Sequence, residues 1–129
     1  MKENKSILLT KSFNCAVLII ELYKTLLYDK KEFVLSKQLL RSGTSVGANI
    51  REAQNAESTN DFIHELSIAQ KECDETMFWL ELLIETKFIS ENTFFEVSRE
   101  VAQILKMTRS AIHTSKQKID TKKTNTQNS

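Results

Sequence analysis

Proline is absent from this 129-residue chain and glycine occurs only twice, where average usage would supply about six and about nine. Tight hairpin turns lean on Gly, Asn-Gly and Pro, so a many-stranded sandwich or barrel is excluded and an all-α domain remains. Cysteine is scarce too. Cys15 and Cys73 each stand inside an apolar periodic stretch and read as two small buried hydrophobes, not as a disulfide framework. Histidine is limited to His64 and His113, 49 positions apart, and neither lies three or four positions from a Cys or another His. That removes the usual zinc spacings. A di-iron bundle needs two Glu-x-x-His motifs, and the chain offers one weak relative, Asp61-Phe62-Ile63-His64. No metal or other cofactor is expected.

Catalytic signatures are equally thin. The two glycines lack a Gly-Lys-Ser/Thr context, which excludes a phosphate-cradling P-loop. Ser115-Lys116-Gln117-Lys118 spells Ser-x-x-Lys without the accompanying Lys-Thr-Gly. No nucleophile, base and orienting group come together, so the chain is read as no enzyme and no small-molecule substrate is expected. Long hydrophobic runs are missing as well. The longest, Cys15 to Ile20, is six residues, against roughly 18 for a bilayer span. Met1–Thr10 shows only the patch Ile7-Leu8-Leu9 and no cleavage pattern. A soluble, cytoplasmic protein without a membrane partner is the expectation.

What is present is helical periodicity in a chain that is 40% hydrophobic and 27% charged. Four segments separate on period and punctuation, at about 6–28, 34–57, 59–87 and 91–115. The first places Phe13, Ala16, Val17, Ile20, Tyr23 and Leu27 on one face and breaks at Asp29-Lys30-Lys31-Glu32. The second alternates Leu35, Leu39, Gly43, Val46, Ile50 and Ala53. The third presents Phe62, Leu66, Ala69, Cys73, Met77, Leu80 and Ile84, and the fourth Phe94, Val97, Val101, Ile104, Thr108 and Ala111. Ser58 and Ser90 sit where the third and fourth helices need capping hydroxyls. Short connections favour antiparallel neighbours, so the expected architecture is an up-down-up-down four-helix bundle over residues 1–115. Residues 116–129 read as a basic, disordered tail.

Two stretches stand out within that frame. Gly43 and Gly47, four apart on the second helix, share a face with small neighbours and predict close approach of another helix backbone. Met77–Ile84 holds seven apolar residues in eight, more than one buried stripe requires, so it is either enclosed by its own chain or meets another subunit; the second reading is favoured and makes Phe78, Trp79 and Leu82 candidates for that contact.

Net charge is +1, but its distribution is uneven. Residues 1–11 carry +2 through Lys2, Lys5 and Lys11. Residues 106–129 carry +5 through Lys106, Arg109, Lys116, Lys118, Lys122 and Lys123, and residues 12–105 carry −6. An up-down-up-down bundle brings the start of helix one and the end of helix four to the same pole, which becomes the candidate site for an anionic partner.

The run from Ser36 to Ala53, with its Ser45-Val46-Gly47-Ala48-Asn49-Ile50-Arg51-Glu52-Ala53, is followed by Asp61-Phe62 and Trp79-Leu80. Together these resemble the bacterial four-helix-bundle family related to the 23S rRNA intervening-sequence protein, over roughly residues 10–112. The resemblance implies an antiparallel bundle assembled as a ring, typically a homopentamer. More distantly it is similar to the accessory variability protein of diversity-generating retroelements, a basic pentameric barrel that binds reverse transcriptase and nucleic acid. It carries no catalytic residues over, and its signature positions, here Ser45, Asn49, Ile50, Glu52, Asp61 and Phe62, are structural in character. Asn49 and Glu52 are candidates for a helix contact. Unlike the retroelement relative, this chain is acidic over residues 12–105, so nucleic-acid contact is expected to be driven by the termini and to be salt-sensitive. No aromatic-basic interleaving marks a base-stacking surface. The expected role is a non-enzymatic oligomeric accessory factor whose partners are RNA, DNA or a reverse transcriptase. The alternative is a structural or protein-interaction module without nucleic-acid binding.

Overall fold

The structure, a computed structural model, describes residues 2–127 and all their side chains except those of residues 2–4, 6 and 127. Four helices follow one another: α1 (Lys2–Tyr28), α2 (Leu35–Gln54), α3 (Thr59–Glu85) and α4 (Glu91–Gln127). No strand occurs among the described residues. With no proline to interrupt them, helices of this length propagate until a capped end stops them.

Those ends are built from polar side chains and lysine. Ser58 Oγ accepts the Asp61 N–H at 3.1 Å and Ser90 Oγ accepts the Thr93 N–H at 3.1 Å, so both expected hydroxyl caps form. At the exits of α1 and α3, Lys31 (φ 57°) and Lys87 (φ 66°) take the left-handed conformation that glycine usually fills. Sequence reasoning treated Glu32 as part of a charged break, and its role is larger. Its carboxylate accepts the N–H groups of Val34, Leu35 and Ser36 at 3.0, 2.9 and 2.7 Å, and Ser36 Oγ donates back to the Glu32 carbonyl at 2.7 Å. An anion thus closes the positive end of α2. Burial pushes the Glu32 carboxyl upward, but the bonds from Leu35, Ser36 and Val34 outweigh it and hold the group below its ordinary value.

Each helix packs on its sequence neighbours, and α4 closes the ring on α1 through the sparsest of the four seams. The backbones of the diagonal pairs α1/α3 and α2/α4 stay apart, which is the arrangement of an up-down-up-down bundle. Ile19, Leu26, Leu39, Ile50, Leu66, Leu80, Leu83 and Ile104 are fully buried between them, each contributing about 1.5–3 kcal/mol of transfer free energy. One polar pair lies inside this core: Thr76 Oγ1 donates to Ser42 Oγ at 2.9 Å and ties α3 to α2.

The two glycines lie against α1. A Cβ on Gly43 would sit 2.8 Å from Ile19 Cγ2, and one on Gly47 would sit 3.3 Å from the backbone oxygen of Ser12. The hydrogen atom at Gly43 lets α1 come closer than a Cβ would allow, and at Gly47 a Cβ would be crowded against the α1 backbone.

Two expectations need correction. First, α1 buries Leu8, Ser12, Cys15, Ile19, Leu22 and Leu26, whereas Phe13 and Val17 face outward at 57% and 43% exposure. The sequence of α1 is apolar on nearly every side, so its period does not single out one face, and docking against the glycines of α2 decides the rotation. Second, α4 continues past Ser115 to Gln127 where a disordered tail was expected. Residues 116–127 contain neither Gly nor Pro, so the helix nucleated in the packed part meets no break. Residues 128–129 lie outside the described residues. Of the two readings for Met77–Ile84, enclosure by the protein's own helices accounts for most of the segment. Leu80 and Leu83 are buried, Met77, Trp79, Leu82 and Ile84 are half-buried, and Phe78 stays 51% exposed. Flanked by both α2 and α4, α3 has a wider arc covered than a single stripe.

Candidate nucleic-acid interface

The α2–α3 turn, the first turns of α1 and the later part of α4 meet at one pole and enclose a cavity of about 630 Å³. Residues from all four helices line it: Leu8 from α1, Ala53 from α2, Phe62 from α3 and Met107 from α4 form an apolar wall. Leu8 and Ala53 are core residues, so the wall is the end of the hydrophobic core itself.

Lys5, Lys106 and Lys118 line the same cavity. Lys5 holds its ammonium 5.0 Å from the centre of the Phe62 ring, a cation–π distance. Glu57 is the carboxylate among the lining residues. The fold therefore gathers three of the nine candidate cationic contacts around one opening, from positions more than a hundred residues apart in the chain.

The remaining six candidates have other surroundings. Lys11 lies on the α1/α4 seam, where its ammonium donates to Gln103 Oε1 at 2.8 Å and approaches Glu100 Oε2 at 3.9 Å. Arg109 turns toward Asp74 of α3 at 3.8 Å. Both are engaged in holding helices together, away from the cavity. Lys116, Lys122 and Lys123 are exposed along the distal part of α4, where every residue from Asp120 to Thr126 is exposed. The side chain of Lys2 lies outside the described residues.

The packing candidates also separate. Gly43 and Gly47 mediate the α1 contact described above. Asn49 Nδ2 donates to the Ser45 carbonyl at 2.8 Å, within its own helix, and Glu52 is exposed. Phe78 and Trp79 meet edge to face with centroids 5.1 Å apart, and Trp79 Nε1 donates to Glu75 Oε1 at 3.4 Å. Glu75 also pairs with Arg41 of α2, which reaches Glu72 at 3.4 Å.

Burial pushes both thiols up to about 12, helped at Cys15 by the Glu100 charge and at Cys73 by Cys15 and Asp74. Thiolate chemistry is correspondingly suppressed. No group of three or more His, Cys, Asp or Glu side chains fit to hold a metal occurs among the described residues. Within the same set no helix is long and apolar enough to cross a membrane.

The profile of the 23S rRNA-intervening sequence protein family matches residues 4–110. The chain belongs to that family. It is 48% identical, with a TM-score of 0.84, to a protein of unknown function from the S23 ribosomal protein family of Bacteroides thetaiotaomicron VPI-5482, over 85% of this chain and 98% of that one. No curated protein matches. Neither similarity names an enzyme family. The stretch shared with the 23S rRNA-intervening sequence family contains Lys5, Phe62 and Lys106 but ends before Lys116, Lys118, Lys122 and Lys123. The bundle and the inner wall of the cavity are thus family ground, and the distal basic part of α4 lies beyond it.

Sequence reasoning placed the basic pole by topology, but missed Phe62 as part of it. Its spacing places Phe62 on the inward stripe of α3, and it is half-buried there. Its partnership with Lys5, 57 positions away, leaves no local signal to find.

Proposed function

We propose that this protein is a non-enzymatic, self-assembling helix bundle that contacts nucleic acid through the pole where α1 begins and α4 ends. The observation that carries the reading is the convergence of Lys5, Lys106 and Lys118 on one cavity, continued outward by Lys116, Lys122 and Lys123 on exposed helix. Lysines spaced along a helix present point charges to a phosphate backbone without demanding a base sequence. The rest of the surface is acidic on balance, which confines the contact to this pole and makes it modest in strength and sensitive to salt. A reverse transcriptase carrying bound nucleic acid is a partner of the kind such a pole suits.

Self-assembly is supported by a different surface. Ile7, Phe13, Val17 and Tyr28 are exposed at 45%, 57%, 43% and 66% on α1. Phe13, Val17 and Tyr28 fall at helical spacing on the side away from the core. Apolar side chains lined up in this way mark an interaction site, and a closed ring such as a homopentamer would cover them in every copy.

Binding of structured RNA and duplex DNA to the full chain and to a chain ending at Ser115, at two salt concentrations, tests the interface. The full chain should bind at low salt, and removal of the distal basic residues should weaken binding and flatten its salt dependence. Absence of binding by both chains at low salt overturns the reading. Equal binding by both moves the footprint elsewhere and overturns the role given to the distal part of α4.

A further inference from the structure

Resting on the basic pole just described, we infer that its cavity takes an unpaired nucleotide, with the base inserted against Phe62 and its phosphate held by Lys5 and Lys106, so that the protein selects single strands over duplex. A surface that only neutralises phosphates has no use for a recess. This pole has one of about 630 Å³, within the size range of small-ligand pockets. Its inner wall is apolar and its mouth is cationic, and a nucleotide divides in the same way, with a flat apolar base at one end and a phosphate at the other.

Phe62 is what favours a base over another amphipathic anion. Its ring lines the cavity and already carries a cation, the Lys5 ammonium, at 5.0 Å. Single-strand binders combine these two elements: an aromatic face on which a base stacks and a cation that follows the backbone. Nothing in the linear sequence interleaves aromatic and basic residues, and the fold assembles the pair by letting the Lys5 side chain, in the first turns of α1, reach across the pole to Phe62 in the first turn of α3. Among the other lining residues, α4 contributes Ser110 and Thr114, and α2 contributes Gln54. Their hydroxyls and amide can meet the polar edge of a base that has left its helix. A base paired within duplex keeps that edge engaged and its faces stacked, so it cannot enter. Glu57 at the same opening opposes a second phosphate and limits the recess to one nucleotide.

The test compares a fluorescently labelled single-stranded oligothymidylate, the same oligonucleotide with abasic sites, and a duplex of equal phosphate number, all bound to the full-length protein at low salt. The single strand should bind about ten-fold more tightly than either of the others, in keeping with one aromatic-base stack. Phe62→Leu, which keeps apolar packing, should remove that preference. Ser110→Trp, at an exposed lining position, should do the same by filling the recess. A 2-aminopurine placed in the strand should be quenched on binding to the natural protein and not to either variant. Equal affinity for all three ligands, or a preference that survives both substitutions, overturns this inference and leaves the basic pole standing. Failure of all three ligands to bind at low salt overturns the basic pole together with it.

Discussion

Replacing Gly43 by alanine puts two opposed effects of known size into one experiment. In the interior of a solvated helix the exchange stabilises by about 1 kcal/mol, because glycine leaves the unfolded chain with more freedom to lose. At position 43 the added methyl would lie 2.8 Å from Ile19 Cγ2, 2.9 Å from Cγ1 and 3.2 Å from Cβ. Ordinary carbon contacts begin at about 3.5 Å, and Ile19 is fully buried, so its branched carbon has no free volume to move into. Overpacking of this kind costs about 1–3 kcal/mol. With three atoms involved the upper half applies, and the net expectation is destabilisation by about 1–2 kcal/mol. Urea unfolding at fixed protein concentration measures it, with fixed concentration needed because self-association would add to apparent stability. Ile19→Ala supplies the control. Alone it should cost about 2–5 kcal/mol, and in the Gly43→Ala background about 1 kcal/mol less, because trimming the side chain relieves the collision. Gly47→Ala, whose methyl would meet the Ser12 carbonyl oxygen at 3.3 Å, should fall near zero as propensity and crowding offset each other. A Gly43→Ala protein that is about 1 kcal/mol more stable than the natural one, with no coupling to Ile19, would refute the close α1–α2 approach.

Two further outcomes are accessible with the same protein. Glu32→Gln should destabilise by about 1 kcal/mol at neutral pH, because it removes the charge that caps α2 and leaves one acceptor oxygen for three N–H groups. Since the folded carboxyl titrates below its ordinary 4.5, the contribution of Glu32 is present above that pH and fades as pH falls through the lower folded value. The two proteins should therefore converge in acid, and a gap that persists at low pH would contradict the cap. Val17→Glu, at a position exposed on α1, should leave the bundle folded and slow its sedimentation to that of a single chain. An unchanged sedimentation profile would remove the outer face of α1 from the assembly.

How much of this was legible beforehand differs from helix to helix. In α2, Leu35, Leu39, Gly43, Val46, Ile50 and Ala53 stand out by spacing, and all but the half-buried Leu35 are buried, because polar residues fill the other side of that helix and leave one solution. In α3 and α4 the same logic located Leu66, Ala69, Cys73 and Leu80, and Val97, Val101, Ile104 and Thr108. It failed in α1, where apolar residues on both sides give two acceptable faces of nearly equal hydrophobicity. It fails again at the end of α4, where polar composition predicts loss of structure although no residue there breaks a helix. The cap on α2 escaped notice because a glutamate three positions before a helix looks the same whether its carboxylate folds back or points into water.

An all-helical chain, the order and approximate length of its helices, and basic ends on an acidic body were all properties of the sequence by itself, because they depend on composition, period and local capping. Which face of α1 is inside, how closely α1 approaches Gly43, and that Lys5, Phe62 and Lys106 share one cavity were decided only by tertiary structure. Each of these depends on distances between residues far apart in the chain, and such distances are set by the simultaneous packing of four helices, which no local pattern encodes.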